Sequence, residues 1–287
     1  MKNRAFTLLE LLVVITIIGI LTSIVVVSMS GSTDSATIAK GKAYSQQVHA
    51  LLGYEAVLDF NFNEGDYNTC PDGSDVCDTS SYNNNGEIYN NEAIYVSSPI
   101  DGHALSFDGT NDYVNVLNNL IFTDKITIEA WIKPYDVTKL WQGVVKRGKW
   151  RLALGSSNKP YFEIVIGSLN FASYAPNAMN NNNWFHLVGT YNGSRVFCYI
   201  NGITNNGLSK TGNIDIDTID IRIGSYTNYF PGLIDDVRIY TEALPATEIQ
   251  KHYVQGLGKL LANQAITQAE YDQRMAEFNQ SLVLYEE

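Results

Sequence analysis

Residues 6–27, from Phe6 to Val27, are dominated by aliphatic side chains, with Glu10, Thr16, Gly19, Thr22 and Ser23 among the interruptions. At about 1.5 Å per residue this run predicts a helix of roughly 33 Å, enough for the hydrocarbon core of a bilayer. Lys2 and Arg4 precede it and stay on the cytoplasmic side, which places the rest of the chain outside. Beyond Ser30-Gly31-Ser32, apolar Ile38, Ala39, Ala43, Val48, Leu51 and Leu52 recur at near-helical spacing, opposite Lys40, Lys42, Gln46, Gln47 and His49. From Val57 to Val254 the period drops to two. In ITIEAWI (126–132), Ile126, Ile128, Ala130 and Ile132 share one face, and Thr127, Glu129 and Trp131 share the other. YFEIVIG, WFHLVGTY, RVFCYING, DIRIG and IDDVRIY repeat the alternation between Gly, Asn and Asp turns, predicting a two-sheet antiparallel sandwich. No helical segment long enough for βαβ units interrupts it. A polar, helix-prone tail follows, in which Thr267 and Glu270 form a capping box ahead of Tyr271, Met275 and Phe278.

Composition narrows the function. A net charge of -11 with only 17% charged residues, and no basic stripe, argues against binding a nucleic-acid backbone. Cys70 and Cys77 lie in the turn-rich CPDGSDVC, either as a short-loop disulfide or as two thiols, and no further Cys or His lies nearby to complete a metal site. Cys198 alternates with Val196 and Ile200, the pattern of an inert core thiol.

Glu10 is the exceptional residue of the first run, because a carboxylate within lipid costs several kcal/mol unless it is paired or neutralised. The stretch KNRAFTLLELLVVITIIGIL resembles the leader and first helix of type IV pilins and secretion pseudopilins. The resemblance implies a leader of residues 1–5, cleavage between Ala5 and Phe6 by a prepilin peptidase, and methylation of the new amino group. It also implies that Glu10 pairs with the N-terminus of a neighbouring subunit during assembly. Ala5 stands where that family carries Gly. Residues 6–56 would then form the assembly helix, in contact with membrane lipid and other pilin-like subunits. An ordinary signal peptide cut after Ser30 and a plain single-span anchor are the alternatives.

Five ordered segments, DFNFNEG, HALSFDGTNDYVNV, ITIEAWIKP, WFHLVGTYNGSRVFCYINGI and FPGLIDDVRIYTEALPATEI, resemble the concanavalin A-like jelly roll, within its laminin G-like and pentraxin-like group. This implies a mainly β chain, with an antiparallel jelly-roll sandwich at 57–254 after the N-terminal helix and a helical tail at 255–287. It also implies a rim calcium ion, for which Asp108, Asp112, Asp235 and Asp236 are the candidate ligands. Glu129 and Trp131 are the candidate ligand contacts, although the indole reads first as cross-sheet packing; Trp184 reads as structural. No strand carries the paired carboxylates of a glycoside hydrolase, and no nucleophile elbow or HExxH occurs. The expected protein is non-enzymatic: a membrane, pilus or pseudopilus subunit whose main domain displays an adhesive head outside the cytoplasm for a glycan or protein. A purely structural subunit is the alternative, and a polysaccharide hydrolase a minor one.

Overall fold

The computed structural model describes residues 55–90, 93–117, 120 and 122–283. The chain divides into two compact units, Met1–Gly53 and Tyr54–Glu287. Ala5, Phe6, Glu10 and residues 6–54 of the expected 6–56 assembly helix lie outside the described residues, and Ala56, expected at the end of that helix, instead begins a strand. Among the described residues, no helix is long and apolar enough to cross a membrane.

The described unit begins with β1 (Ala56–Phe60), β2 (Glu87–Tyr89), β3 (Ile94–Ser97), β4 (His103–Asp108), β5 (Tyr113–Val116) and β6 (Ile126–Pro134). It continues through β7 (Gln142–Arg147), β8 (Trp150–Leu154), β9 (Pro160–Ile166), β10 (Leu169–Tyr174), β11 (Phe185–Tyr191) and β12 (Arg195–Ile200). Then come β13 (Ile203–Thr204), β14 (Leu208–Ser209), β15 (Ile221–Ile223) and β16 (Pro231–Tyr240), and finally α1 (Ala246–Ala262) and α2 (Gln268–Val283). The first sheet runs β13-β12-β11-β6-β16-β4-β3, with β1 also paired to β16 and β14 to β12; the second runs β10-β9-β8-β7-β15-β5-β2. Every ladder is antiparallel. The expected sandwich with a helical tail is therefore observed.

Alternation explains the core. Ile126, Ile128, Ala130 and Ile132 of β6 meet Leu152, Phe162, Ile164 and Ile223 of the second sheet in one continuous cluster. Fully burying each such aliphatic or aromatic side chain contributes roughly 1.5–3 kcal/mol. Yet β6 is buried on its other face as well, since Thr127, Glu129 and Trp131 are also inaccessible. The cover is α1, whose buried Ile249, Tyr253, Gly256, Leu257 and Leu260 recur at helical spacing.

The helix starts after Pro245, so the expected domain boundary at 254/255 falls inside it. Gly256 and Gly258 resemble a terminator in the sequence. Gly256 instead permits close approach: a Cβ there would lie 2.1 Å from a ring carbon of Trp131. The second tail helix is capped as its sequence predicts, with the Glu270 N–H donating to Thr267 Oγ1 at 3.2 Å.

Candidate functional site: the two outer faces of the sandwich

The outer face of the first sheet is occupied by the chain itself. Trp131 is 3% exposed, 5.2 Å from the His186 ring and 6.2 Å from that of Tyr253 on α1. Glu129 lies at the centre of a polar network that joins five elements. His252 Nδ1 of α1 is 2.9 Å from Oε2, Tyr240 donates its hydroxyl to Oε1 at 3.0 Å, and Arg238 Nη1 is 3.3 Å from Oε1. His186 Nε2 approaches Oε2 at 3.5 Å. Arg238 also pairs with Asp59 and Asp236.

A bulge builds this arrangement. The β16–β6 register shifts between Asp235 and Arg238, Asp236 takes φ 47°, and Arg238 comes opposite Glu129. Burial opposes the Glu129 charge, but His252, His186 and Arg238 together hold its carboxyl well below the usual range. Burial likewise opposes the His252 charge, but Glu129 and then Glu248 overcome it and lift the imidazole to about 9. Burial keeps His186 below its ordinary value, so it is the neutral histidine of the pair. Glu129 and Trp131, candidate ligand contacts in the sequence, thus bind the protein's own helix.

The four acidic candidates fall into two separate pairs. Asp108 pairs in register with Pro231, whereas Asp235 lies further along β16, opposite Trp131. Asp235 is engaged by the Ser98 hydroxyl and the Asp236 N–H, and Asp236 faces Arg238 and Lys259. With its oxygens so taken, the Asp235–Asp236 pair does not suit a calcium ion. Asp112 is fully buried; its Oδ2 accepts the Asp108 N–H at 3.1 Å, and its Oδ1 has no partner. Burial, with a further contribution from Asp108, lifts the Asp112 carboxyl to about 6. Asn111 Oδ1 is also buried and unpartnered. These are hard oxygens of the type calcium takes, though calcium needs about 6–8 of them. No group of three His, Cys, Asp or Glu with metal-holding geometry occurs among the described residues. Cys70 and Cys77 form a disulfide with a Cα–Cα distance of 5.3 Å, and Cys198 is a buried free thiol.

The outer face of the second sheet has a different character. One register row crosses all its strands: Ala172, Glu163, Arg151, Lys146, Arg222, Asn115 and Glu87. Val145, Leu152 and Ile223 point into the core, so Lys146, Arg151 and Arg222 point out. Three cations thus stand side by side on adjacent strands. Burial, then Arg222 and Arg151, hold the Lys146 ammonium below its usual value.

Aromatic rings lie beside this row. Tyr161 stacks against Tyr174 at 5.3 Å and meets Trp141 edge-on at 5.7 Å; Tyr113 stacks on Tyr89 at 4.8 Å. Arg222 lies 4.7 Å over the Tyr113 ring, and Arg151 lies 4.6 Å over that of Tyr226. Between the two aromatic groups the strand positions are Ala153 and Gly143. Gly143 is required there, because a Cβ would strike the Ser225 carbonyl at 2.3 Å. Tyr89, Tyr174 and Trp141 are exposed at 52%, 36% and 36%.

Sequence reasoning missed this face. Its one local signal is KRGKWR, where the two-residue turn Gly148-Lys149 sets Lys146 opposite Arg151.

Comparison with known proteins agrees with this geometry. Residues 108–250 match the concanavalin A-like lectin/glucanases superfamily, in its laminin G branch. They form a concanavalin A-like, laminin G domain. Residues 1–26 match the prokaryotic N-terminal methylation motif, which contains Ala5, Phe6 and Glu10 and marks a membrane-anchored, surface or pilus-located type of protein.

Among solved structures, this laminin G domain is similar to domain 4 of the GH43 extracellular arabinanase AbnA from Geobacillus stearothermophilus, determined with arabinotriose. That match has 18% identity, TM-score 0.59, and covers 70% of this chain and 99% of that one. It is also similar to the ligand-binding domain of botulinum neurotoxin serotype D, determined with N-acetylneuraminic acid, at 16% identity and TM-score 0.55 over 71% of this chain. The binding domain of Paraclostridial Mosquitocidal Protein 1 matches at 18% identity and TM-score 0.56, again over 71% of this chain. The match spans about half of each of these two toxin domains. At such identities the likeness establishes the fold alone. No curated protein sequence matches the chain.

Proposed function

We propose that this chain is a pilin-like surface subunit whose laminin G head binds a glycan on the outer face of its second sheet. The observation that carries the reading is the asymmetry of the sandwich. One outer face is sealed by α1 and α2, while the other carries the exposed rings of Tyr89, Tyr174 and Trp141. Aromatic faces of this kind stack against the C–H surface of a sugar ring, and neighbouring polar groups fix its orientation. A solved structure of the same fold, matched over 99% of its length, was determined with arabinotriose, which supports a carbohydrate over a protein ligand.

The head acts by holding and not by cleaving. Glycoside hydrolysis needs two free carboxyl groups flanking the scissile bond. On this face Glu163 is paired with Arg151 and Asp220 accepts from Asn115, which leaves Glu87 at the sheet edge as the exposed carboxyl of the row. The N-terminal motif supplies anchorage: cleavage before Phe6, methylation of its amino group, and pairing of Glu10 with a neighbouring subunit. The partners implied are the prepilin peptidase and other pilin-like chains, at the membrane or in a surface filament.

Two measurements test this reading. Mass analysis of protein recovered from its membrane should show a chain beginning at methylated Phe6; one beginning after Ser30 would remove the pilin route. Full-length protein in neutral detergent should bind polysaccharides in a mixed panel, and Tyr89→Ala with Trp141→Ala should weaken binding at least tenfold. No binding across the panel would leave a purely structural subunit.

A further inference from the structure

The cation row is expensive in the absence of a ligand. Like charges directly opposite one another across a sheet are destabilising. Here Arg222 faces Lys146 and Lys146 faces Arg151, in a chain with 19 basic residues against 30 acidic ones and a net charge of -11. Scattered surface lysines would be unremarkable. Three basic residues in consecutive register on three neighbouring strands of an acidic protein constitute a localised positive strip.

The strip is only partly neutralised from within. Arg151 pairs with Glu163, but among the described residues neither Lys146 nor Arg222 has an acidic side chain within ion-pair distance. The Nε groups of Arg151 and Arg222 are buried donors without acceptors. The guanidiniums rest on Tyr226 and Tyr113, which fixes their planes and reduces the entropy lost when a ligand is gripped. An acceptor-rich anion would relieve the repulsion among the three cations by pairing with their charged ends.

The aromatic rings decide what carries the anion. Tyr89, Trp141 and Tyr174 are exposed rings on the same sheet as the cations, as a sugar ring needs. Neighbouring strands are about 4.8 Å apart, comparable with one step along a polysaccharide chain. A glycan lying across the strands would therefore bring successive anionic groups to successive cations.

We propose that the ligand class is an acidic polysaccharide, with carboxylate or sulfate groups on successive residues, bound across the Arg222–Lys146–Arg151 row. This rests on the glycan-binding reading above and adds the charge of the ligand and the residues that select it.

The test uses full-length protein in neutral detergent, the double variant Lys146→Gln/Arg222→Gln, and immobilised polygalacturonate, dextran sulfate, neutral dextran, arabinan and polyglutamate. The wild type should bind one or both acidic glycans at least tenfold more tightly than the neutral ones and than polyglutamate. Preference for polygalacturonate or for dextran sulfate would assign the anion as carboxylate or sulfate. Raising salt should weaken the acidic interaction, as should the double variant, by tenfold or more. Because the variant removes repulsion, its melting temperature should be unchanged or higher, which separates lost binding from lost folding.

Three results would overturn the inference. Binding of neutral glycans unaffected by the double variant would remove the acidic class while leaving the glycan reading intact. Equal affinity for polyglutamate would reduce the strip to a general polyanion surface. Binding to vesicles of anionic lipid with no binding to any glycan would assign the strip to a membrane, and would remove the glycan reading as well.

Discussion

Raising the pH from 6 to 10 should loosen the C-terminal helices from the first sheet, and the Glu129–His252 contact sets the size of the effect. His252 titrates at 6.5 when free and at about 9 when docked, because Glu129 and Glu248 stabilise its charge against burial. A group whose folded value is raised gives its full stabilisation below the free value and loses it as pH rises through the folded value. The ionised contact therefore contributes at most about 3 kcal/mol below pH 6.5, and most of that has gone by about pH 9. The surrounding groups do not cancel the trend: Glu129 stays ionised, Arg238 stays charged, and burial keeps His186 neutral. The assay is amide hydrogen exchange at residues 249–260, corrected for the intrinsic pH dependence of exchange. Protection of α1 should fall by up to about a hundredfold across that range, while the strands between the sheets keep theirs. His252→Gln should flatten the profile and lower protection at pH 6 towards the high-pH value. An unchanged profile in the wild type, or the same slope in His252→Gln, would refute the argument.

Gly256→Val would press a branched side chain into the Trp131 ring and should destabilise the docked helix by about 1–3 kcal/mol, read as a red shift in tryptophan emission. Replacing Cys70 and Cys77 by Ser removes a short closed loop and should lower stability by about 2 kcal/mol in denaturant unfolding, with the ladder around Glu129 unaffected. If calcium takes the unpartnered Asp112 Oδ1, added calcium should raise the melting temperature of the wild type but not of Asp112→Asn; no shift in either would remove calcium from the rim. Without calcium, the raised value of Asp112 means that stability falls as pH climbs from about 4 through about 6, and Asp112→Asn should abolish that step.

Which parts of this architecture were legible in the sequence follows from the range of each interaction. The alternation of Ile126, Ile128, Ala130 and Ile132 identifies β6 and its core face, because a strand's period is local. Its other face stays ambiguous, because Thr127, Glu129 and Trp131 suit a ligand-binding surface as well as a packed one. Their partners lie on α1, far along the chain, and Gly256-Leu257-Gly258 there resembles a helix end. Only the ring of Trp131 explains why a glycine is needed mid-helix. The paired cysteines were legible from their spacing as one of two alternatives. The acidic turn residues were visible individually, but alternation gives no sign that Asp108, on β4, pairs with Pro231 at the start of β16, whereas Asp235 lies further along that strand. The cation row was half legible, since the hairpin turn sets Lys146 against Arg151. Arg222 arrives from a distant strand, through register alone.

Sealing one outer face of the sandwich also limits its valence. With α1 and α2 on the first sheet, only the second of the two sheet faces is left open to a polymer. On the glycan-binding reading, grip would come from repetition: each further head on the same support meets its ligand at an effective concentration set by spacing, and affinities that are weak singly multiply. The number of subunits displayed, more than the perfection of any one site, would then decide how firmly the surface holds.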